Sequence, residues 1–471
     1  MELTYIGHHS WLLSKNETHF LIDPILEQDF GNSTLLKFPI HPSRNILYDK
    51  LPLINGVFLT NEHAGHFDIS TIKKLSNQIP IFVYSMIPYS VVEVLELNGF
   101  KVICCEPFSE YLHCDIKFMF CPGTKEIPLW ENRVCSLIFI SEAESLFIQS
   151  DTKVSEKVVE IYKNNCLNKS NAWIIPNNSQ LFPTLNVGPF DNLLPIRNIR
   201  KSQFIGLKVL SDLLFNCPDN FYRFFNNYFF SGSGYIIPGR MEKPFLWSND
   251  TNLTPSLKKI VGERGLHSLR AGFSFSIKNN RLIEKRKEFV EDSIDPAYES
   301  LNTDSGRNYA LNLISDEPSS EANLAKLFIL LEKELKVIAP YFLSSFVGKD
   351  LVSLDSYLNN KLDGNRALFR FHHPKISPFV TQYAFDCNSC SFKLDHTPAN
   401  KVIHSFPYGL EVGLNDFFLL ANGEVQIWDL SMYSIKQWYL GSHLRSIVAF
   451  LFEYYSEQVQ PELFRKILLS V

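Results

Sequence analysis

The stretch Leu59–Ile69, reading Leu-Thr-Asn-Glu-His-Ala-Gly-His-Phe-Asp-Ile, constrains this chain more than any other. The apolar run Val57-Phe58-Leu59 stops at Thr60, and a polar turn carrying His63 and His66 follows. Asp68 then opens Ile69-Ser70-Thr71-Ile72-Lys73-Lys74-Leu75, which reads as a capped amphipathic helix. A strand that breaks into a histidine-bearing turn and restarts as a helix is an α/β element with reactive side chains at its tip.

A chain of 471 residues allows two or three domains, at roughly 150 residues each. Apolar residues make up 45% and charged residues 20%, the balance of a soluble globular protein, and 39 phenylalanines can fill large cores. A net charge of −5 argues against a nucleic-acid or anionic-membrane surface. The nine cysteines are scattered and odd in number, and Met1-Glu2-Leu3-Thr4 does not open a signal peptide. Reduced thiols and a cytoplasmic location are therefore expected. Charges interrupt the longest apolar stretches, so no membrane helix is expected.

Taken in order, Leu3–Leu13 reads as a strand, a Gly7-His8 turn and a second strand, with Asn16-Glu17 as a hairpin turn. Phe20–Leu26 is a buried strand ending at Asp23-Pro24. Past the central turn, Ile79–Tyr84 is a strand, Pro88–Leu97 a helix stopped by Gly99, and Lys101–Cys105 the next strand. A right-handed crossover is implied. Strands follow at Ile116–Phe120, Ser136–Ile140, Ser145–Ser150 and Trp173–Pro176. Residues 200–230 read as helical and aromatic, and Ser231–Arg240 as loop, strand and loop. Composition shifts near Asn249–Pro255, which divides the chain into 1–250 and 251–471. Beyond it, Leu324, Leu327, Phe328, Leu331, Leu335 and Ile338 repeat at helical spacing and stop before Pro340. Residues 366–415 alternate like strands, and Leu444–Tyr455 is an apolar helix.

These pieces resemble the metallo-β-lactamase superfamily. Its signature loop, His-x-His-x-Asp-His, carries metal ligands at the end of a strand, and the same frame here reads Asn61-x-His63-x-Gly65-His66. Gly7-His8-His9 is similar to that superfamily's Gly-His-Ala turn, Leu21-Ile22-Asp23-Pro24 to its Leu-Ile-Asp-Pro strand end, and Asp151-Thr152 to its Gly-Asp-Thr. The resemblance implies an αββα sandwich over 1–250 with an α+β region after it, packed as a lid. Among members, the chain looks most like CMP-N-acetylneuraminate hydroxylase-like proteins, through Leu51–Thr152 and Gly423–Leu430. Those carry a Rieske centre with Cys-x-His ligand pairs. This chain offers only Cys387-x-x-Cys390 and lacks that module.

What the resemblance implies for the site is a reduced metal centre. His63, His66 and Asp151 match ligand positions, and Arg240 falls where the last histidine is expected. Two histidines and a carboxylate suit one iron, zinc or manganese ion. His8, His9, Glu62 and Asp68 are near enough to complete the set, with Asp151, Asp68 and Arg240 as catalytic candidates. Arg240 would hold an anionic group of a small-molecule substrate in a hydrolase or oxygenase. Alternatively, Arg240 pairs with Asp151 and the protein is a metal-free binding or scaffold protein.

Each residue also has a plainer reading. His63 and His66 can be hydrogen-bonded fold residues, and His8 a structural brace. His372-His373 reads as a surface turn, Cys104-Cys105 as buried strand residues, and Gly232, Gly234 and Gly239 as turn glycines. The aromatic helix 444–455 suits a core or a homodimer surface.

Overall fold

A computed structural model describes residues 1–123, 133–166, 169–176, 218–231, 234–235, 265–267, 269–293, 314–315, 321–358, 367–373, 380–406, 408–439 and 447–471. Two large sheets form its centre. The first has eight strands in the order Arg281–Ile283, Ser274–Ser276, Glu2–Gly7, Ser10–Lys15, Thr18–Ile22, Gly56–Leu59, Ile81–Tyr84 and Val102–Cys105. It is antiparallel up to Thr18–Ile22 and parallel from there on. The second has seven, in the order Tyr111–His113, Ile116–Pro122, Cys135–Ile140, Glu144–Ile148, Ser170–Pro176, Asn227–Ser231 and Gly265–His267.

Strand alternation builds the layers. Leu3, Tyr5, Leu13, Phe20, Ile22, Phe58 and Phe82 point inward and meet Phe118, Phe120, Phe139, Leu146 and Ile174 of the second sheet. The Phe58 ring stands edge-on to Phe139, 5.0 Å between centroids. The intervening residues Ile6, Leu12, Leu21, Val57, Leu59, Ile81 and Val83 point outward under helices Ile69–Ile72 and Tyr89–Leu97. On the far side, Met119, Ile138, Phe147, Trp173 and Ile175 are covered by helix Glu156–Asn165. Both faces of each sheet are buried, which is why the strands read as continuous apolar runs. The result is the αββα sandwich of the metallo-β-lactamase fold.

Two local expectations are corrected. Of the run 200–230 expected to be helical, residues 200–217 lie outside the described residues, and the rest forms a short 3-10 helix, Pro218–Phe224, and the strand Asn227–Ser231, which pairs in parallel with Ser170–Pro176. A short apolar run does not by itself separate strand from helix, and the open sheet edge decides. The helix expected to stop before Pro340 runs from Glu321 to Ser344 with the proline inside it. Burial of Ile338, Ala339 and Phe342 in the C-terminal core outweighs the lost hydrogen bond.

The boundary expected near residue 250 lies outside the described residues. The strands at 265–283 complete the two N-terminal sheets, so the sandwich extends past it. The C-terminal region has its own five-stranded sheet, ordered Ser391–Asp395, Val380–Asp386, Ala367–His372, Tyr408–Gly413 and Lys436–Tyr439. Helix Val448–Tyr454 packs in that region's core through Val448, Phe450 and Leu451. The last helix, Pro461–Ser470, returns to the sandwich, where Phe464 and Leu468 join Ile69, Val91 and Leu95. Among the described residues, no helix is long and apolar enough to cross a membrane.

Candidate metal centre

The site is built at the C-terminal ends of neighbouring strands. Strand Thr18–Ile22 ends at Asp23, held in the left-handed region at φ 43°, where its N–H donates to Phe58 O (2.9 Å). Strand Gly56–Leu59 ends beside it at Thr60. The Thr60 N–H donates to Asp23 Oδ1 (2.8 Å) and its hydroxyl to Asp23 Oδ2 (2.7 Å). One carboxylate thus ties two strand ends together.

The turn after Thr60 folds on itself. The N–H groups of His66 and Phe67 both donate to His63 O at 2.8 Å. Asn61, where the signature loop has its first histidine, donates to Ser150 Oγ (2.9 Å) and accepts from the His63 N–H (2.9 Å). Its amide serves the loop itself. Asp68 caps helix Ile69–Ile72, accepting from Thr71 N–H (3.0 Å) and the Thr71 hydroxyl (2.7 Å).

These constraints aim His66. Its Nδ1 lies 2.8 Å from Asp23 Oδ2, and since a carboxylate can only accept, Nδ1 carries the proton. The buried Nε2 makes no hydrogen bond and faces Asp151 Oδ2 at 3.4 Å. His9 stacks on His66, centroids 4.2 Å apart, with its Nδ1 held 3.1 Å from Ser231 Oγ. One potential ligand atom each from His9, His66 and Asp151 lies within 4.8 Å of the others.

Charge follows the geometry. Burial opposes a charge on His66, but Asp151 and then Asp23 outweigh it and push it up to about 10. Burial likewise opposes Asp151, and His66 and His63 hold it well below the ordinary carboxylate range. His9 is pushed well below the usual imidazole value by burial, with His66 and His8 adding to the shift.

Of the residues singled out from the sequence, His66 and Asp151 converge. His63 borders them, its Nδ1 3.4 Å from Asp151 Oδ2, but stands outside the converging set. The two neighbouring histidines divide differently from expectation: His9 enters the set and His8 does not. His8, at φ 53°, stacks on Phe30 at 4.6 Å. A Cβ on Gly65 would lie 2.9 Å from His8 Nε2, so His8 fills the space where the signature loop has an aspartate. Asp68 is a helix cap away from the set, and Arg240 lies outside the described residues.

Three residues at the site were not among the site candidates read from the sequence, although Trp428 lies in the stretch Gly423–Leu430 that carries part of the resemblance. The Trp428 ring lies 4.8 Å from that of His63. Arg133 pairs with Glu62, and its Nη1 donates to Glu457 Oε2 at 2.8 Å. Two of the three, Trp428 and Glu457, come from the C-terminal region, which thus contacts the site.

No family model matches the sequence, and no curated protein sequence matches it. Solved structures do show similarity. A possible metal-dependent hydrolase from Veillonella parvula matches at 17% identity over 58% of this chain and 98% of that one, TM-score 0.39. The isothiocyanate hydrolase from Delia radicum gut bacteria matches at 16% over 59% and 99%, TM-score 0.37. CmlA, a diiron β-hydroxylase from Streptomyces venezuelae, matches at 16% over 38% and 35%, TM-score 0.29. The activities named belong to those proteins.

Proposed function

We propose that this protein is a metal-dependent hydrolase or oxygenase with a single-metal site held by His9, His66 and Asp151. The supporting observation is the buried His66 Nε2, aimed at Asp151 Oδ2 3.4 Å away while Asp23 fixes the ring from behind. A carboxylate behind a histidine is how metal-ligating imidazoles are oriented. Two histidines and one carboxylate fit one iron, zinc or manganese ion with positions left for substrate. Such an ion would supply Lewis-acid activation of water or, if iron, oxidative chemistry.

The chain's own residues do the rest. Asp23 keeps the His66 proton on Nδ1. His63 sits against Asp151 and orients its carboxylate. The Trp428 ring covers His63 and keeps water from that side.

One observation favours the metal-free reading of a binding protein. A charged His66 between Asp23 and Asp151 closes the site as an internal ion pair. Elemental analysis of purified and reconstituted protein separates the two. The enzyme reading expects about one equivalent of metal, the count for a mononuclear site, lost in His66→Ala and Asp151→Ala. Reconstituted wild type without metal would overturn it in favour of the binding protein.

A further inference from the structure

We infer that the C-terminal region completes the site, with Glu457 and Arg133 as positioning residues for the His63 loop and Trp428 as its wall. The inference deepens the single-metal reading and rests on it for its metal-binding arm.

A line of polar groups runs from the site into the C-terminal region. Asp151 Oδ2 lies 3.4 Å from His63 Nδ1, and His63 Nε2 lies 3.7 Å from Glu62 Oε1. Glu62 pairs with Arg133, which pairs with Glu457 at 2.8 Å. Glu62, Arg133 and Glu457 are only 0%, 2% and 4% exposed. Two carboxylates and one guanidinium buried together are costly to desolvate, and apolar residues of similar volume commonly hold two regions together as well or better. Packing alone therefore does not account for charges here. Their placement does: Arg133 spans from the turn following helix Val448–Tyr454 to the residue next to His63, fixing where the ligand-bearing loop sits.

Trp428 reinforces this from helix Ile427–Tyr433. Its ring packs on His63 at 4.8 Å and on Phe452 at 4.5 Å, so the loop leans on a wall that is itself anchored in the C-terminal core. Separate ties keep this region in place. The Ser33 hydroxyl donates to Glu424 O (3.0 Å), and Arg465 Nε donates to Glu93 Oε2 (2.7 Å).

The test uses the full chain in wild-type, Glu457→Gln and Trp428→Leu forms, with two readouts. Amide hydrogen exchange over residues 60–68 of metal-free protein reports the loop whether or not metal binds. Zinc affinity by competition with a chelator reports the site. Both variants should raise exchange over 60–68 and weaken zinc binding about tenfold, as loss of an outer support does. If Glu457→Gln does not fold, Trp428→Leu, which removes no charge, carries the test. Increased exchange confined to 447–471, with 60–68 and zinc affinity as in wild type, would reduce these contacts to packing and overturn the inference. Wild type that binds no zinc removes the single-metal reading, and the exchange arm still decides the positioning role.

Discussion

Asp23 Oδ2 lies 2.8 Å from His66 Nδ1 and 2.7 Å from the Thr60 hydroxyl, so one carboxylate fixes both a strand end and the imidazole that closes the site. Asp23→Asn keeps the shape but presents a neutral amide to the ring. Metal affinity should fall about 10–100-fold, the usual effect of removing a carboxylate behind a ligating histidine. Chelator competition with zinc measures it, and unchanged affinity would show that Asp23 serves the strands alone.

His9 and His63 make opposite predictions. His9→Ala removes a member of the converging set and should abolish stoichiometric zinc binding. His63→Ala leaves that set intact and should retain the metal at reduced affinity. Loss of metal in His63→Ala with retention in His9→Ala would reverse the assignment.

Gly65 is fixed by its neighbour. A Cβ there would meet His8 Nε2 at 2.9 Å, and His8 cannot retreat because it stacks on Phe30 and lies edge-on to His9. Gly65→Asp should destabilise the fold by about 1–3 kcal/mol, the range for overpacking. Adding His8→Ala should recover most of that loss. Denaturant unfolding of the single and double variants checks this, and equal losses in both would clear His8.

The pH dependence of the metal-free protein follows from His66. Its value, about 10 when folded, exceeds the unfolded value of about 6.5. Its contribution to stability is therefore complete below the unfolded value and is lost as pH rises through the folded one. Asp151 runs the other way, stabilising above its ordinary carboxylate value and losing that as pH falls. Unfolding of chelator-treated protein between neutral pH and pH ~10 should show a fall that His66→Gln flattens. Parallel curves for the two proteins would count against this account.

Pro340, exposed inside helix Glu321–Ser344, has no N–H to give residue 336. Pro340→Ala should raise stability by about 1–3 kcal/mol, within the cost of an interior proline. Thermal unfolding measures it, and a lower melting temperature would show that the core around Phe342 depends on the proline's geometry.

The sandwich was legible because its determinants are local. Phe20-Leu21-Ile22 and Val57-Phe58-Leu59 are apolar on both faces, Asp68 caps and Gly99 stops, and each signal acts within a few residues. His66 and Asp151 were reached another way, through the resemblance of Asn61-x-His63-x-Gly65-His66 and Asp151-Thr152 to the superfamily's motifs. The tertiary structure decided what depends on direction and distance. Adjacent His8 and His9 are equivalent in sequence, and only a left-handed backbone at His8 sends one ring to Phe30 and the other to His66. Arg133 and Glu457 are 324 residues apart, and nothing in either neighbourhood marks the other. Their pairing is set by how the C-terminal region returns to the sandwich, a product of long-range packing that no local pattern carries.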